Sequence, residues 1–594
     1  MADAALAEPA PRWDLSDLYT APDDPTLARD LETAEAEAKA IEAEFRGKLA
    51  ELDGDGLAAM IRRYEAVSET IGKVYSFASL RFAAQRDDVE IGRFFQAMQE
   101  RINALTTPLL FVTLELNRLE EADLQAKIEA SPGLAHYRPW LRDVRAFRPH
   151  QLADEIEKTL HEKAVAGRSA WIRLFDETVA DLRFDFRGQR LTNAQVFDKL
   201  QDRDRTTRKD AADAIGAVLA ERVKLFARIT NTLVKDKAIE DGWRNYERPI
   251  SSRNLANRVE DEVVDALIGA VREAYPRLSH RYYGLKARWL GLDRLQHYDR
   301  NAPLPEDDDT RIPWTDAKVI VLDAYRGFSP KIATLLEDFF AKRWIDAELR
   351  PGKDSGAFSH GTVPSVHPYV LMNYQGRARD VMTLAHELGH GAHQILAGAQ
   401  GPLMCSTPLT LAETASVFGE QLTFRSLLNA TTDPKRRRVL LAGKIEDALN
   451  TVVRQIAFCE FERRVHDARK QGELTPQDLG DVWMQVQTES LGPAFDFSDD
   501  YRVYWSYIPH FVHVPFYVYA YAFGDCLVNA LYAVYQEAPE GFQDKYFDML
   551  RAGGSQHHRA LLAPFGLNAA DPAFWDRGLD MIAGFIDELE AMEG

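Results

Sequence analysis

Residues 380–393 read DVMTLAHELGHGAH, with apolar residues at the spacing of a helix face. Asp380 is a good N-cap, the apolar pattern continues to about Ala397, and Gly398 follows as a stop. The stretch therefore predicts one helix. It also predicts the chemistry of the protein, because it contains the pattern His-Glu-x-x-His.

The two histidines of this pattern, His386 and His390, lie about one turn apart on the same helix face. Both imidazoles can therefore bind one zinc ion. Glu387 is rotated round the helix by one residue and can face the open coordination position. The pattern predicts a catalytic zinc site in which a metal-bound water is the nucleophile and Glu387 is the general base.

Glycine stands at positions 389 and 391 of the same helix. Each glycine costs about 1 kcal/mol relative to alanine in a helix interior. That cost is expected mainly where another part of the chain must approach the helix closely. We therefore expect close packing against this helix.

A catalytic zinc ion needs a third protein ligand. The sequence predicts a second helix from Pro408 to about Leu428, with Thr407 as N-cap. Glu413 falls in its second turn, where it can return beside the two histidines as the third ligand. The alternative is that Glu413 is only a carboxylate favoured by the helix dipole. Glu420, two turns later, is expected to orient a ligand histidine through a hydrogen bond.

Residues 504–521 are rich in aromatic and histidine side chains. Such a cluster is more often an aromatic core than a site. Pro515 predicts a helix start, which leaves His510 in the preceding loop and places Tyr517 over Tyr521 on one helix face. A metallopeptidase also needs hydrogen-bond donors for the charge that grows on the attacked carbonyl oxygen, and this cluster is a candidate to supply them.

Composition restricts the class of protein. The 594 residues, 46% apolar and 28% charged, are typical of a globular protein large enough for two or more lobes. A formal charge of −20 argues against partners such as nucleic acid or a membrane surface. Three widely separated cysteines indicate a reducing compartment, and the N-terminus lacks a secretory signal, so we expect a cytoplasmic protein.

The pattern of the remaining sequence is mostly helical. We expect an N-terminal helical region over residues 1–195 and a catalytic metallopeptidase domain over residues 196–594. Residues 367–374 are β-prone and predict a small sheet. The acidic residues 306–309 stand between prolines and are interpreted as a solvated linker. The predicted fold class is mainly α with a small β-sheet.

Several separated motifs resemble one family, and they occur in that family's order. They are WDLSDLY at residues 13–19, then residues 356–361, 367–376, 380–393, 411–416 and 507–524. Over nearly its full length the chain resembles the oligoendopeptidase F branch of the thimet-oligopeptidase-like zinc metallopeptidases.

The resemblance implies a two-lobed, helical zincin-type fold around a deep central channel. It implies cleavage of internal bonds in short peptides, with one zinc ion per chain. It assigns the zinc ligands to His386, His390 and Glu413, and the general base to Glu387.

The resemblance also assigns residues to the substrate. His510 and Tyr521 are expected on the side of the oxyanion and the substrate, with Tyr517 and Tyr519 as further substrate contacts. One departure affects Tyr517: the thimet branch has a tyrosine five residues after the loop histidine, where this chain has Pro515.

The β-prone segment 367–374 has a counterpart in the same family. It resembles the edge strand along which such enzymes pair the substrate backbone, which is a form of β-strand addition. Tyr374, at the end of this segment, is therefore expected to contact the substrate.

Two alternatives to a zinc oligoendopeptidase remain open at this point. A zinc carboxypeptidase on a related helical zincin fold would share the metal site but would not cut a peptide blocked at both ends. A metal-free helical interaction protein would bind no zinc. The sequence leaves the side-chain preference and the oligomeric state, monomer or homodimer, undetermined.

Overall fold

The computed structural model of the protein describes residues 9–164, 166–305 and 311–593. The prediction for the acidic residues 306–309 lies outside these ranges, as does the start of the N-terminal segment, residues 1–8. The described residues are mostly helical with two small sheets, so the predicted fold class is confirmed.

The helices are numbered in chain order. In the first half of the chain, α1 to α14 are Pro25–Phe45, Gly54–Ala84, Val89–Thr106, Leu110–Arg118, Glu121–Ala130, Pro132–His136, Arg138–Arg145, Asp154–Ala164, Arg168–Asp181, Asn193–Asp198, Arg205–Trp243, Ser251–Ala256, Asp261–Ala274 and Ser279–Trp289. In the second half, α15 to α27 are Trp314–Phe328, Pro330–Ala341, Ala378–Ala397, Leu409–Ala412, Ser416–Ala430, Pro434–Thr451, Val453–Arg469, Pro476–Leu491, His510–His513, Tyr519–Glu537, Phe542–Arg551, His558–Leu562 and Pro572–Ala591.

The chain forms two compact units, each assembled from three separate segments. Unit 1 consists of Met1–Arg148, Asp309–Ala430 and Val534–Leu567. Unit 2 consists of Pro149–Asp308, Thr431–Ala533 and Asn568–Gly594. The division at residue 195, which separates a helical region from a catalytic domain along the chain, stays a prediction, as does the central channel.

Among the described residues, five short strands form the two sheets. They are β1 to β5, at Phe184–Phe186, Gln189–Leu191, Ile345–Asp346, Phe358–His360 and Tyr369–Leu371. Strands β1 and β2 are an antiparallel hairpin in unit 2. In unit 1, β5 lies between β3 and β4, parallel to the first and antiparallel to the second.

The predicted edge strand is therefore in the middle of its sheet. Val370 of β5 is paired with Ile345 on one side and with Ser359 on the other. The prediction that segment 367–374 is an edge strand is wrong, and β4 is an edge instead. Strand order is set by pairing between distant segments, so the local β-pattern did not reveal it.

The scaffold around α17 in unit 1 is fixed by α15 and α19. The hydroxyl of Tyr325 on α15 donates a hydrogen bond to the carbonyl oxygen of Ala385, at 2.8 Å. Gly419 on α19 leaves the space that this hydroxyl occupies, since a Cβ there would collide with it. The carbonyl of Ala385 precedes His386 directly, so this bond holds the backbone from which the first histidine projects.

No helix in the described part of the chain combines the length and the apolar character needed to cross a membrane. The apolar segment 511–535 contributes instead to α23 and α24, and most of its side chains are buried in the protein.

Candidate metal centre

The helix that carries the histidines, α17, begins earlier than predicted. It starts at Ala378 with Arg377 as N-cap, and Asp380 is its third residue. The Asp380 carboxylate accepts the N–H groups of Arg377 at 2.9 Å and Gln375 at 2.8 Å, so it caps the helix from inside the first turn. At the other end a 3-10 turn follows, and Gly401, with φ 81°, ends it.

The two glycines of α17 lie where other side chains and backbone approach. A Cβ on Gly389 would lie 2.7 Å from the Cα of Ser416, and a Cβ on Gly391 would lie 2.8 Å from Cε1 in the ring of Phe339. Real Cβ atoms do not approach backbone or rings so closely, so both positions require glycine in this packing. The expected close approach to α17 is confirmed, and at Gly389 the approaching segment is the one that carries Glu413.

Substituting Gly389 with alanine is expected to weaken metal binding. The new methyl group must push the backbone of Ala415 and Ser416 away from α17, and Glu413 moves with that backbone. We expect a loss of zinc affinity of about 10-fold or more, comparable to the loss of a residue that supports a metal ligand. Competition with a chromogenic chelator measures it.

Gly443→Ala is the matched control for this change. Gly443 is also inside a helix, α20, and a Cβ there meets nothing within 4 Å. Its substitution should leave zinc affinity unchanged and should stabilise the helix slightly. Wild-type zinc affinity in Gly389→Ala would show that the contact does not position Glu413.

The segment after α17 is not the single helix that the sequence predicts. The chain forms α18, then a turn over residues 413–415, then α19. Two side-chain hydroxyl groups donate hydrogen bonds to backbone carbonyl groups in this turn. The hydroxyl of Thr414 bonds to the carbonyl of Leu411 at 2.6 Å, and the hydroxyl of Ser416 bonds to the carbonyl of Glu413 at 3.1 Å. Such bonds compete with helix formation. Glu413 therefore lies at a helix break, not in a second helical turn.

The three predicted ligands converge in unit 1. Nε2 of His386 lies 3.3 Å from Oε2 of Glu413, and Nε2 of His390 lies 3.4 Å from the same oxygen. The two rings are 4.9 Å apart at an angle of 83°. The three ligand atoms all lie within 4.8 Å of one another. Two imidazole nitrogens and one carboxylate oxygen are the donor set of a catalytic zinc site.

Glu420 lies beside His386, at the ring nitrogen that does not face Glu413. The sequence predicted a hydrogen bond from a ligand histidine to this carboxylate. Its Oε2 lies 3.3 Å from Nδ1 of His386. A carboxylate at Nδ1 holds the proton on that nitrogen and leaves the lone pair of Nε2 directed towards Glu413. Either a proton on Nε2 or a metal cation satisfies this contact, and the donor set of two imidazoles and one carboxylate fits a divalent metal.

The charges of the site agree with this fit. Burial acts to lower the pKa of His386, but its hydrogen bonds to Glu413 and Glu420 outweigh burial and raise that pKa. Burial acts to raise the pKa of Glu413, but His386 and His390 lower it to about 2. Burial lowers the pKa of His390 to about 4. The site therefore contains an anionic carboxylate and stabilises positive charge beside it.

Glu387 lies next to this set on α17 and is 6% exposed. Burial is the main cause that raises its pKa to about 7, and a hydrogen bond from the backbone N–H of Ser359 opposes the rise. A carboxyl group with a pKa near neutrality can both take up and release a proton at neutral pH. Sequence reasoning missed Ser359 on β4, for which the motif at residues 356–361 was the available signal.

A cavity of about 340 Å³ lies beside the metal site in unit 1. His360, His390, His393 and Cys405 are among the residues that line it. His393 has its Nε2 3.3 Å from the hydroxyl of Thr407 and is not part of the converging set, as the sequence predicted. Burial raises the pKa of the Cys405 thiol, which makes it a poor nucleophile.

The aromatic cluster lies in unit 2, and its helices differ from the prediction. His510 begins the short helix α23 and is not in a loop. Helix α24 begins at Tyr519 and not at Pro515. Phe516 has φ 59°, in the left-handed region, and a helix cannot continue through that conformation. Proline therefore precedes a turn here and not a helix.

The structure brings together three of the predicted side chains. Nε2 of His510 lies 3.4 Å from the hydroxyl oxygen of Tyr521. The ring of Tyr517 lies 5.2 Å from that of Tyr521 and 6.2 Å from that of His510. Burial is the main cause that lowers the pKa of His510.

Two predicted substrate contacts do not fit their surroundings. Tyr519 is fully buried, and its hydroxyl accepts a hydrogen bond from the amide of Asn257 at 2.9 Å. Tyr374 is 8% exposed, and its hydroxyl donates to the carbonyl of Ile312 at 2.7 Å. We correct both assignments, because a buried side chain whose hydroxyl is already bonded cannot contact a substrate in this conformation.

Comparison with known proteins agrees with this geometry. Residues 328–581 match the sequence model of Peptidase family M3, and residues 115–184 match that of Oligopeptidase F, together more than half of the chain. Oligopeptidase PepF of Bacillus subtilis (strain 168) is 27% identical over 593 residues, which cover 98% of this chain and 87% of the relative.

Further similarities extend over the full length. An oligoendopeptidase F homolog of Lactococcus lactis subsp. lactis is 26% identical over 98% of this chain and 97% of its own. The solved structure of a protein from Chlamydophila abortus has the same fold, with a TM-score of 0.83 at 23% identity over 98% of each chain. The chain belongs to peptidase family M3, among the metalloendopeptidases of the oligoendopeptidase F type.

Proposed function

We propose that the protein is a zinc-dependent endopeptidase that hydrolyses internal bonds of short oligopeptides. The observation that carries this proposal is the convergence of His386, His390 and Glu413, with Glu387 adjacent and Glu420 behind His386. Family membership supports the endopeptidase activity, and the names of the relatives support oligopeptides as substrates.

His386, His390 and Glu413 would hold one zinc ion per chain. When bound, zinc would lower the pKa of a coordinated water to about 7 and would polarise the scissile carbonyl group. Glu420 keeps the proton of His386 on Nδ1, so that Nε2 stays available as a ligand atom.

Glu387 is the proton carrier of the reaction. Its carboxylate accepts the proton of the attacking water and then transfers that proton to the nitrogen of the leaving amine. Burial raises the pKa of this carboxyl group towards neutrality, which supports a residue that takes up and releases a proton.

His510 and Tyr521 donate hydrogen bonds to the negative charge on the attacked carbonyl oxygen, and Tyr517 contacts the substrate. Nε2 of His510 lies 3.4 Å from the hydroxyl oxygen of Tyr521, which supports a common role of the two side chains at the oxyanion. The resemblance of this segment to the family supports the same role. Donors of this kind act mainly in the transition state, where the charge is largest.

Tyr521→Phe is expected to lower kcat by about 100-fold to 1000-fold and to change KM much less. His510→Ala should have an effect of the same kind, with zinc content unchanged in both variants. Steady-state kinetics, elemental analysis and melting temperatures measure these quantities.

Tyr519→Phe is the matched control for Tyr521→Phe. It removes a hydroxyl group from the same helix, but that hydroxyl bonds to Asn257 inside the protein. We expect a lower melting temperature and a wild-type kcat. A stably folded Tyr521→Phe enzyme with wild-type kcat would remove Tyr521 from the mechanism.

We further propose that the protein works in the cytoplasm on free peptides, without nucleic acid or membrane partners. The formal charge of −20 supports this assignment, because it repels phosphate groups and anionic lipids. The oligomeric state, monomer or homodimer, stays open.

Cleavage of defined peptides tests the proposed function. The enzyme is incubated with zinc and a mixture of peptides of graded length, half of them acetylated and amidated, and mass spectrometry identifies the products. We expect internal cleavage of blocked and free peptides alike, and no cleavage after chelation. Stepwise removal of C-terminal residues, from free peptides only, would indicate a zinc carboxypeptidase instead.

A further inference from the structure

The turn between α23 and α24 adopts a conformation that its residue type disfavours. Phe516 has φ 59°, and a bulky residue rarely adopts the left-handed region. Its side chain is fully buried, and its ring lies 4.8 Å from the ring of His466 on α21. Such a conformation persists only where the surroundings hold it.

The peptide group between Pro515 and Phe516 is held at both of its polar ends. The N–H of Phe516 donates to Oε1 of Glu462 at 2.8 Å. The carbonyl oxygen of Pro515 accepts from Nε of Arg253 at 3.4 Å. Glu462 is on α21 and Arg253 is on α12, so two separate helices of unit 2 hold the plane of one peptide bond.

Burial of the Glu462 carboxyl group destabilises the fold, so its presence is explained best by its hydrogen bond with the turn. It is 3% exposed, and its second oxygen, Oε2, has no hydrogen-bond partner among the described residues. Burial raises its pKa to about 8, so the carboxyl group is mostly neutral at pH 7. A buried carboxyl group with one unbonded oxygen is less favourable than an apolar side chain of the same size. The other oxygen of Glu462, Oε1, accepts the hydrogen bond from the N–H of Phe516.

The held peptide bond lies between the two residues proposed to act on the oxyanion. Tyr517 follows Phe516 directly, and its N–H bonds to the carbonyl of Val514 at 3.1 Å. The rings of Tyr517 and Tyr521 are 5.2 Å apart, and the hydroxyl of Tyr521 is 3.4 Å from His510. Rotation of the 515–516 peptide group would therefore move α23 relative to the start of α24, and with it His510 relative to Tyr521.

We propose that Glu462 and Arg253 are positioning residues, which hold the Pro515–Phe516 peptide group so that His510 and Tyr521 keep their mutual geometry. This inference rests on the proposed function, because it concerns the donors to the oxyanion. Neither residue touches the reacting atoms, so both act through the turn.

Two substitutions of Glu462 separate positioning from general stability. Glu462→Gln keeps an acceptor oxygen for the N–H of Phe516, whereas Glu462→Leu removes it. We expect Glu462→Leu to lower kcat by about 10-fold to 100-fold, with KM changed by about threefold or less, since small displacements of catalytic groups have effects of this size. Glu462→Gln should recover kcat to within about threefold of the wild type. Both are measured per zinc-loaded enzyme, well below the melting temperature.

Glu460→Leu is the matched control on the same helix. Glu460 is 6% exposed, and its carboxylate pairs with Arg463 at 2.9 Å and with Arg272 at 3.2 Å, away from the turn. Its loss should lower the melting temperature and leave kcat unchanged. An equal fall of kcat in Glu460→Leu would show that Glu462 matters only for stability.

A double-mutant cycle with Tyr521→Phe tests how Glu462 acts. In a chain that already carries Tyr521→Phe, Glu462→Leu should lower kcat by a smaller factor than in the wild type, because one of the positioned donors is gone. Wild-type kcat in Glu462→Leu, or an undiminished factor in the Tyr521→Phe chain, would overturn the inference.

Arg253→Met provides a second test if Glu462→Leu does not fold. The variant keeps the apolar stem of a half-buried side chain and removes the donor to Pro515. We expect kcat to fall by about fivefold or more with zinc content unchanged, and wild-type kcat would contradict the inference. Loss of activity in Glu387→Gln and Tyr521→Phe, together with full activity of these positioning variants, would leave the proposed function intact and remove only this inference.

Discussion

Glu387→Gln is expected to retain one zinc ion per chain and to lose about 100-fold to 10,000-fold in kcat, the range that a general base supplies. Glutamine fills the same space on α17, and none of the three metal ligands changes. An amide cannot take a proton from the attacking water, so the step that Glu387 performs has no acceptor. Elemental analysis of the purified variant and steady-state kinetics on a fluorogenic peptide measure both quantities.

The change also removes a buried group with a raised pKa. The carboxyl of Glu387 is 6% exposed, and the amide needs no ionisation there, so the variant should be at least as stable as the wild type to thermal unfolding. A melting temperature at or above that of the wild type would show that the loss of activity does not arise from unfolding. Turnover close to the wild-type rate in a zinc-loaded Glu387→Gln enzyme would exclude this residue as the base.

Glu413→Ala is expected to lose zinc, and activity with it. We propose the carboxylate of Glu413 as the oxygen ligand, because the Nε2 atoms of His386 and His390 lie 3.3 Å and 3.4 Å from its Oε2. We expect the affinity for zinc to fall by more than about 100-fold, because even residues that only support a ligand contribute about 10-fold to 100-fold. Glu420→Ala, which removes such a supporting residue, should therefore show the smaller loss.

Both variants are examined by chelator competition and by circular dichroism. Far-ultraviolet spectra should match the wild type, because Glu413 lies at a break between helices and a substitution there interrupts no helical turn. Activity should return in part at high zinc concentration for Glu420→Ala, but not for Glu413→Ala. Full zinc content in Glu413→Ala, combined with zinc loss in Glu420→Ala, would exchange the roles of the two carboxylates.

Local sequence was sufficient for the parts of the site that one helix carries. His386, His390 and Glu387 follow from the 3.6-residue periodicity of α17, because positions four residues apart share a face in any helix. Gly389 predicts a close contact, because glycine destabilises a helix interior and is expected there mainly where another segment packs closely. It does not predict which segment makes that contact.

The sequence assigned roles to Glu413 and Glu420 from their positions on one following helix. Those roles stay predictions, and the helix was wrong. The sequence predicted a continuous helix, whereas the chain breaks at residues 413–415. The hydroxyl groups of Thr414 and Ser416 bond to backbone and carboxylate acceptors in this turn, at 2.6 Å from Leu411 and 2.6 Å from Glu413. Whether such local bonds prevail over helix propensity depends on packing against α17.

The remaining features were decided by tertiary structure alone. β5 is a central strand because segments around residues 345 and 359 pair with it from both sides. Tyr519 is buried, and its hydroxyl bonds to Asn257, which is 262 positions away along the chain. Glu462 carried no sequence signal at all, since its partner is a peptide group 54 positions away. Periodicity and residue type were enough to predict the helix of the candidate metal site and the enzyme class. Strand order, burial and the support of the turn depend on contacts between distant segments, which exist only once the chain has folded.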